Sequence, residues 1–239
     1  MPLLLAEQLS KRFAGRHVVS GATMTVEPGE IVGLLGANGA GKTTTFRMVV
    51  GLLSCDAGRI VFAGQDVTTL PMYARARLGM GYLAQEPTVF TTLTVADNVR
   101  IVLEQHFPAA EHDQRLASLL AELGLSSLRD SLAGSLSGGE RRRLEIVRSL
   151  VVEPKLLFFD EPFAGVDPKS RGDITSIAAQ LKKRGISVLI TDHHAESILR
   201  MVDRLYVMES GNILAHGTPE EIIANPDVRR AYLGEQFTL

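Results

Sequence analysis

The segment "GLLGANGAGKTTT" limits the possible folds of this chain more than any other, because a glycine-rich loop joins a short apolar run to a helical pattern. Residues 36–43 match the pattern G-x-x-x-x-G-K-[S/T]. The glycines allow successive backbone N–H groups to point at phosphate oxygens, and the helix that follows adds its positive N-terminal end. The segment therefore predicts a nucleotide-binding strand–loop–helix unit. The alternative is a glycine-rich turn before a helix with no ligand.

Individual roles follow from the chemistry of this loop. Lys42 is expected to reach the β- and γ-phosphates, and the hydroxyl of Thr43 is expected to bind Mg²⁺. The full set of predicted phosphate-loop residues is Gly36, Ala37, Asn38, Gly39, Ala40, Gly41, Lys42, Thr43 and Thr44.

A second chemical feature is the acidic pair that ends "KLLFFDEP". Four apolar residues predict a buried strand and leave Asp160 at its C-terminal edge, where ligands bind in open α/β sheets. Asp160 is predicted to hold Mg²⁺, and Glu161 to orient and polarise an attacking water. An acidic pair after a strand is otherwise a solvated strand end, a reading that the phosphate loop disfavours.

The distribution of apolar residues indicates an α/β chain with a helical insert. Short apolar runs typical of strands occur before residue 87 and after residue 154, whereas the intervening segment is rich in Leu and Ala at helical spacing. We therefore expect a nucleotide-binding core formed by residues 1–86 and 155–239, with a helical subdomain at 87–154. At 239 residues the chain suits one large domain or two small ones.

Composition excludes several classes of protein. A net charge of −2 argues against a protein that coats nucleic acid. The single cysteine, Cys55, rules out an internal disulfide and fits a reducing compartment. The sequence shows neither a signal peptide pattern nor an apolar run approaching the roughly 18 residues of a membrane span. A cytoplasmic location is expected, which leaves room for a membrane-bound partner.

The segment "SLSGGERRRLEIVRSL" suggests a second phosphate-binding element. Ser137 and Glu140 have the spacing of a capping box, so the simplest reading is a well-capped helix. Gly138 and Gly139, however, occupy its first turn, where each weakens a helix by about 1 kcal/mol relative to Ala. Unobstructed amides at a helix start suit an anion.

These three motifs together resemble those of the ATP-binding cassette (ABC) ATPases. "GANGAGKT" matches their Walker A motif, "LLFFDE" their Walker B motif and "LSGGE" their signature. The resemblance implies a P-loop NTPase fold with a RecA-like sheet, an antiparallel β subdomain and a helical insert. It also implies ATP and Mg²⁺ as ligands and a head-to-tail homodimer. Each ATP would lie between the phosphate loop of one subunit and Ser137, Gly138 and Gly139 of the other.

The resemblance assigns roles to four more positions. Phe13 would stack on adenine, and Gln85 would contact Mg²⁺ and link the site to a membrane partner. Asp167 would lie at the dimer seam, and His193 would contact the γ-phosphate. With Glu161, the residues Gln85 and His193 form the predicted catalytic set. Ala37 and Ala84 stand where the family frequently has proline.

Longer stretches point to particular transporters. "DEPFAGVDP", "SGGERRRLEIVRSL" and the ending "AYLGEQFTL" resemble the ATPases of bacterial lipopolysaccharide export, and the ATPases of branched-chain amino-acid importers remain the alternative. Either reading implies two integral-membrane permease subunits docking near Gln85, Phe90 and the helical insert. The protein would then be peripheral on the cytoplasmic face of the inner membrane. Thr91 and Thr92 stand where related exporters often carry basic residues.

Other classes of nucleotide-binding protein agree less well with the sequence. ABC ATPases that act on nucleic acid usually carry long coiled-coil inserts or two cassettes, and this sequence has neither. A small GTPase would need an Asn-Lys-x-Asp motif, which is absent, and a kinase a distinct acceptor site. An ATP-gated clamp that barely hydrolyses is disfavoured by the presence of Glu161.

The stretch "ITDHHAE" poses a separate question, because an acid and two histidines could hold zinc. If the strand "ISVLIT" continues, Asp192 and His194 share one side and His193 faces the other. That geometry would make a poor chelate. We therefore expect His193 to act at the γ-phosphate and His194 to be a solvated loop residue.

Overall fold

The computed structural model describes residues 1–163, 168–234 and 237, and the side chains of residues 168–170 are not described. Its central element is a six-stranded sheet in the order β10-β9-β3-β8-β7-β6. Five of these strands are parallel, and β10 pairs antiparallel with β9. The strands are β3 (Ile31–Gly36), β6 (Met80–Leu83), β7 (Leu156–Asp160), β8 (Ser187–Thr191), β9 (Arg204–Glu209) and β10 (Asn212–Gly217).

A second, four-stranded sheet is antiparallel and has the order β2-β1-β4-β5. It consists of β1 (Leu4–Phe13), β2 (Arg16–Val26), β4 (Ala57–Phe62) and β5 (Gln65–Asp66). The two longest strands, β1 and β2, form a hairpin whose turn lies at Ala14 and Gly15, and both of these residues have positive φ.

Helices cover the large sheet and fill the segment between β6 and β7. That segment carries α3 (Val95–His106), α4 (Ala109–Glu122) and α5 (Gly138–Leu150), as the helical periodicity predicted. Short 3₁₀ turns cover Ser126–Leu128 and Ala133–Ser135. The other helices are α1 (Lys42–Val50), α2 (Met72–Arg77), α6 (Pro168–Lys183), α7 (Ala195–Leu199), α8 (Pro219–Ala224) and α9 (Pro226–Val228), and α9 leads into a π-helical turn, Arg229–Leu233.

The central strands read as continuous apolar runs because both faces of the large sheet are covered. Phe158 and Phe159 of β7 illustrate this, since adjacent strand residues point in opposite directions. Phe158 packs with α1 and the antiparallel sheet, whereas Phe159 packs with the helices of the insert. The predicted α/β architecture with a helical insert is confirmed, and no helix in the described part of the chain is long and apolar enough to span a bilayer.

Strand order explains where a site can form. β3, β8 and β7 are neighbours and parallel, so their carboxyl ends meet at one edge of the sheet. Those ends are Gly36, Thr191 and Asp160. The glycine-rich loop, the acidic pair and the histidine pair are consequently brought together although they are far apart in sequence.

Candidate nucleotide site

The glycine-rich loop folds into a tight turn between β3 and α1. Gly36, Gly39 and Gly41 have φ values of 148°, 83° and 105°. The amide of Ala40 donates to the carbonyl of Ala37 at 3.1 Å. Because Gly41 is the N-cap and supplies no side-chain cap, the first amides of α1 are left for a ligand, as an anion-binding helix start requires.

Gly36 cannot carry a side chain without displacing a neighbouring strand. A Cβ at this position would lie 2.3 Å from the carbonyl oxygen of Met208 in β9. We expect Gly36→Ala to lower the free energy of unfolding by about 1–3 kcal/mol through overpacking, and to weaken ATP binding because the loop shifts. Gly64→Ala is the matched control for chemical denaturation and nucleotide titration. Gly64 also has positive φ, at 79°, but a Cβ there meets no atom within 4 Å. Equal losses in both variants would contradict the steric explanation.

Lys42 is the first residue of α1, directly after the glycine-rich loop. Its side chain is buried, and Nζ donates to the carbonyl oxygens of Gly36 and Ala37 at 2.7 and 3.1 Å. Burial lowers the pKa of Lys42, and the charges of Glu161 and Asp192 oppose that shift. The ammonium is thus placed between the loop and the acidic strand ends. The cleft around it is lined by Val18, Asn38, Gly39, Gly41, Lys42, Thr43, Thr44 and Glu161.

Asp160, at the end of β7, is held by two hydroxyl groups that no sequence motif indicates. Its Oδ2 accepts from the Tyr82 hydroxyl at 2.9 Å, and its Oδ1 accepts from Thr191 Oγ1 at 3.0 Å. Burial, followed by the charge of Asp160, raises the pKa of Tyr82 to about 12, so the phenol remains a donor at neutral pH. The carboxylate is only 2% exposed and has a fixed orientation.

Glu161 follows in a left-handed backbone conformation, with φ at 44°. Non-glycine residues with this conformation are frequent at functional sites. The turn is supported by its amide, which donates to the carbonyl of Thr191 at 2.9 Å. Gln85 Nε2 donates to Glu161 Oε2 at 3.2 Å, and His193 Nδ1 lies 3.7 Å from the same oxygen. The structure therefore brings the three predicted catalytic residues together.

The histidine pair does not adopt the predicted alternating geometry. β8 ends at Thr191, so the extended conformation stops before Asp192. Asp192 Oδ1 accepts from the amides of His193 and His194 at 2.7 and 2.9 Å, and from His194 Nδ1 at 2.9 Å. One ligand atom from each of these three residues lies within 4.8 Å of the others.

The expectation that the two rings face opposite ways is therefore wrong. His194 lies in the loop between β8 and α7, as expected, but its side chain is not simply solvated. The side chain of His194 is only 32% exposed and is hydrogen-bonded. The prediction that the two histidines point in opposite directions therefore no longer argues against a zinc site. The argument against zinc that still holds is that both oxygens of Asp192 already accept hydrogen bonds, since Oδ2 accepts from the Phe163 amide at 3.1 Å.

Tyr232, in the π-helical turn Arg229–Leu233, also contacts the segment Asp192–His194, which we call the histidine loop. Its hydroxyl donates to the carbonyl of His193 at 2.9 Å. Burial, followed by the charge of Asp192, raises the pKa of Tyr232 to about 12. The residue also lines a larger cleft on the outer side of the phosphate loop, together with Asn38 and Ala40. The sequence does not predict this contact, because Tyr232 and His193 are 39 positions apart and belong to no common motif.

The signature segment begins α5 as predicted, with a complete capping box. Ser137 Oγ accepts from the Glu140 amide at 3.4 Å, and Glu140 Oε2 accepts from the Ser137 amide at 2.8 Å. The hydrogen bonds from Ser137 hold the pKa of Glu140 below its usual range. Ser137 and Gly138 are exposed. Among the described residues that line the phosphate-loop cleft, none belongs to this segment.

Two predicted positions remain, Phe13 and Asp167. Phe13 is 47% exposed at the turn end of the β1–β2 hairpin, with Lys11 Nζ 5.9 Å from its ring centroid. Its exposure leaves a ring face available for stacking. Asp167 lies outside the described residues.

The loop that carries Gln85 is tied directly to α5. Glu145 Oε1 accepts from the Thr88 amide, and Arg148 Nη1 donates to the Thr88 carbonyl, both at 2.6 Å. Arg142, which forms a buried ion pair with Glu145 at 2.8 Å, donates to the carbonyl of Ala84 at 3.0 Å. The helix α5 therefore holds the loop between β6 and α3 at its first residue, Ala84, and near its middle, at Thr88.

Comparison with known proteins agrees with this geometry. The family model described as ABC transporter matches residues 19–164. The model described as branched-chain amino acid ATP-binding cassette transporter matches residues 212–238. A phosphate loop, an acidic strand end and a capped glycine helix start define a P-loop ATPase of the cassette type.

Full-length relatives extend the match. The chain is 49% identical over 241 residues to the lipopolysaccharide export system ATP-binding protein LptB of Escherichia coli strain K12, covering 100% of both chains. It is 52% identical over 237 residues to an uncharacterized ABC transporter ATP-binding protein of Rhizobium meliloti strain 1021, covering 99% of this chain and 88% of the relative. The cassette MJ1267 in its ADP conformation superposes with a TM-score of 0.88 at 31% identity, covering 98% of this chain and 100% of that one.

The chain belongs to the ABC transporter family. It is an ATP-binding, ATP-hydrolysing subunit of the kind that works with membrane permease partners.

Proposed function

We propose that Glu161 is the general base of ATP hydrolysis in this subunit. Its carboxylate lies in the phosphate-loop cleft and contacts Gln85, with His193 close by. A carboxylate in this position can orient a water and accept its proton as the water attacks the γ-phosphate. Lys42 and the first amides of α1 would stabilise charge on the phosphate oxygens. His193 would donate a hydrogen bond to the γ-phosphate.

The oxygen-rich set Thr43, Asp160 and Gln85 fits Mg²⁺, which prefers hard oxygen ligands. Asp160 supports this most directly, because its buried carboxylate is oriented by two hydroxyl donors and has unused acceptor capacity. When bound, the ion would neutralise charge on the β- and γ-phosphates.

We propose that the active form is a head-to-tail homodimer. The support is that Ser137 and Gly138, at the start of the helix fixed by the capping box, are exposed, and that no signature residue lines the phosphate-loop cleft of its own subunit among the described residues. In a head-to-tail dimer Ser137, Gly138 and Gly139 would complete the site of the opposite subunit. Asp167 would lie at the seam, and Phe13 would stack on adenine.

The permease subunits are proposed to dock beside the loop that follows β6. Phe90 and Leu132 are large apolar residues that are 47% and 54% exposed. They lie on adjacent segments, because the Gly134 amide donates to the Thr91 carbonyl at 2.9 Å. The contacts of α5 to Thr88 connect this surface to the signature helix. Movement of a docked permease and closure of the ATP site would thereby be linked. The proposed location is the cytoplasmic face of the bacterial inner membrane, with no role for nucleic acid.

The cargo class that the observations favour is lipopolysaccharide, exported towards the outer membrane. This proposal rests on the full-length identity of 49% to LptB proteins, which covers 100% of the chain and of its relative. The alternative, an importer of branched-chain amino acids, is favoured by the family match at residues 212–238.

Purification of the tagged protein from its native bacterium in mild detergent distinguishes the exporter from the importer. We expect mass spectrometry to identify a permease pair together with periplasmic bridge components. Recovery of permeases with a soluble amino-acid-binding protein would instead support the importer. A Phe90→Ala variant is expected to lose the permeases, while Tyr73→Ala, which removes another exposed aromatic residue, at 66% exposure, serves as the comparison.

A further inference from the structure

Asp192 is the central acceptor of the histidine loop. The side chain is fully buried, and its two oxygens bind different segments of the chain. Oδ2 accepts from the Phe163 amide, in the segment after β7, and Oδ1 accepts from both histidine amides after β8. One carboxylate therefore fixes the spacing between the turn that carries Glu161 and the turn that carries His193.

His194 supplies the side-chain donor to this carboxylate. Its Nδ1 lies 2.9 Å from Asp192 Oδ1. An ionised carboxylate only accepts hydrogen bonds, so Nδ1 must carry the hydrogen. The carboxylate is buried, and a charge-assisted hydrogen bond of this kind is roughly twice as strong as a neutral one.

The ring of His194 also supports the ring of His193. Their centroids are 4.2 Å apart with an interplanar angle of 42°. His193 is itself 43% exposed, and its Nδ1 lies 3.5 Å from Asp192 Oδ1 and 3.7 Å from Glu161 Oε2. Without the neighbouring ring, one side of His193 would lose its packing and the imidazole could rotate away from Glu161.

We infer that His194 is a positioning residue for hydrolysis, acting through Asp192 on Glu161 and through ring packing on His193. This inference rests on the proposed roles of Glu161 and His193. Nucleotide binding depends mainly on the phosphate loop, which His194 does not contact among the described hydrogen bonds. Loss of His194 should therefore lower kcat for ATP and leave nucleotide affinity nearly intact.

The variants His194→Leu and His194→Asn distinguish the hydrogen bond that His194 donates to Asp192 from the space that its side chain fills. We expect His194→Leu to lower kcat by about tenfold to a hundredfold, the effect of losing a hydrogen bond to a charged group. The Kd for ATP should stay within about twofold. His194→Asn retains an amide donor but lacks the ring that packs on His193, so it should recover part of the lost rate. His106→Leu removes an exposed imidazole at the end of α3 and should leave kcat unchanged.

A full rate in His194→Leu would overturn the inference, and so would an equal loss in the Leu and Asn variants. Glu161→Gln, measured in parallel, tests the assigned base independently of His194. The unaltered protein offers a second readout, should His194→Leu fail to fold. ¹⁵N-histidine NMR should show a hydrogen on Nδ1 of His194, assigned by its disappearance in His194→Asn. A neutral ring protonated only at Nε2 would contradict the proposed contact.

Discussion

The substitution Glu161→Gln is expected to abolish ATP turnover while preserving ATP binding. The amide has the same shape as the carboxylate but cannot accept a proton from the attacking water, and general-base catalysis contributes about 10²–10⁴-fold to rates. We therefore expect kcat to fall at least about a hundredfold. Because Lys42 and the phosphate loop are unchanged, the affinity for ATP should stay within a few fold. Steady-state ATPase assays and nucleotide titration provide the two measurements.

The same variant should accumulate as an ATP-bound dimer, since closure occurs but hydrolysis no longer reopens it. Size-exclusion chromatography with Mg-ATP should show a dimer for Glu161→Gln and mostly monomer for the unaltered protein. Glu7→Gln is the matched control, because Glu7 is an exposed residue of β1. Near-normal turnover in Glu161→Gln would remove this residue from the role of base.

The local geometry that the sequence predicted correctly is fixed by residues close together in the chain. A glycine before the helix, a carboxylate after a buried strand and a Ser-x-x-Glu box each define their own backbone geometry within a few residues. The capping box of Ser137 and Glu140 formed as predicted. A second capping box, formed by Thr218 and Glu221 at the start of α8, depends on the same short spacing.

The parts that the sequence could not predict depend on which strands become neighbours. Tyr82 and Thr191 bond to Asp160 only because β6, β7 and β8 lie side by side. Nothing in "MGYL" or "SVLIT" marks either hydroxyl as part of a metal-binding edge. The error at His194 had a related cause. The alternation rule applies only while the chain stays extended, and a buried acceptor at Asp192 turned both following amides toward itself.

The substitution Ser137→Arg is expected to abolish hydrolysis by blocking the composite site of the opposite subunit. A long cation at an exposed helix start would occupy the space that the signature amides offer to phosphate. Loss of the cap alone costs about 0.5–2 kcal/mol of stability, so Ser137→Ala serves as the control for folding. We expect ATP binding to the isolated monomer to be retained in Ser137→Arg, whereas ATP-driven dimerisation and turnover are lost. Equal loss of monomer binding and turnover would mean that the segment is only structural.

Mixing two inactive variants tests whether the site is shared between subunits. Lys42→Ala disables the phosphate loop, and Ser137→Arg disables the signature segment. In a head-to-tail heterodimer one composite site combines the intact phosphate loop of the Ser137→Arg subunit with the intact signature of the Lys42→Ala subunit. Hydrolysis should therefore reappear on mixing, although each variant alone is inactive. If heterodimers form, as shown by differently tagged subunits, and activity stays at background, the signature helix does not complete the site of its partner. In that case the helix start at Gly138 and Gly139 would have to serve another ligand.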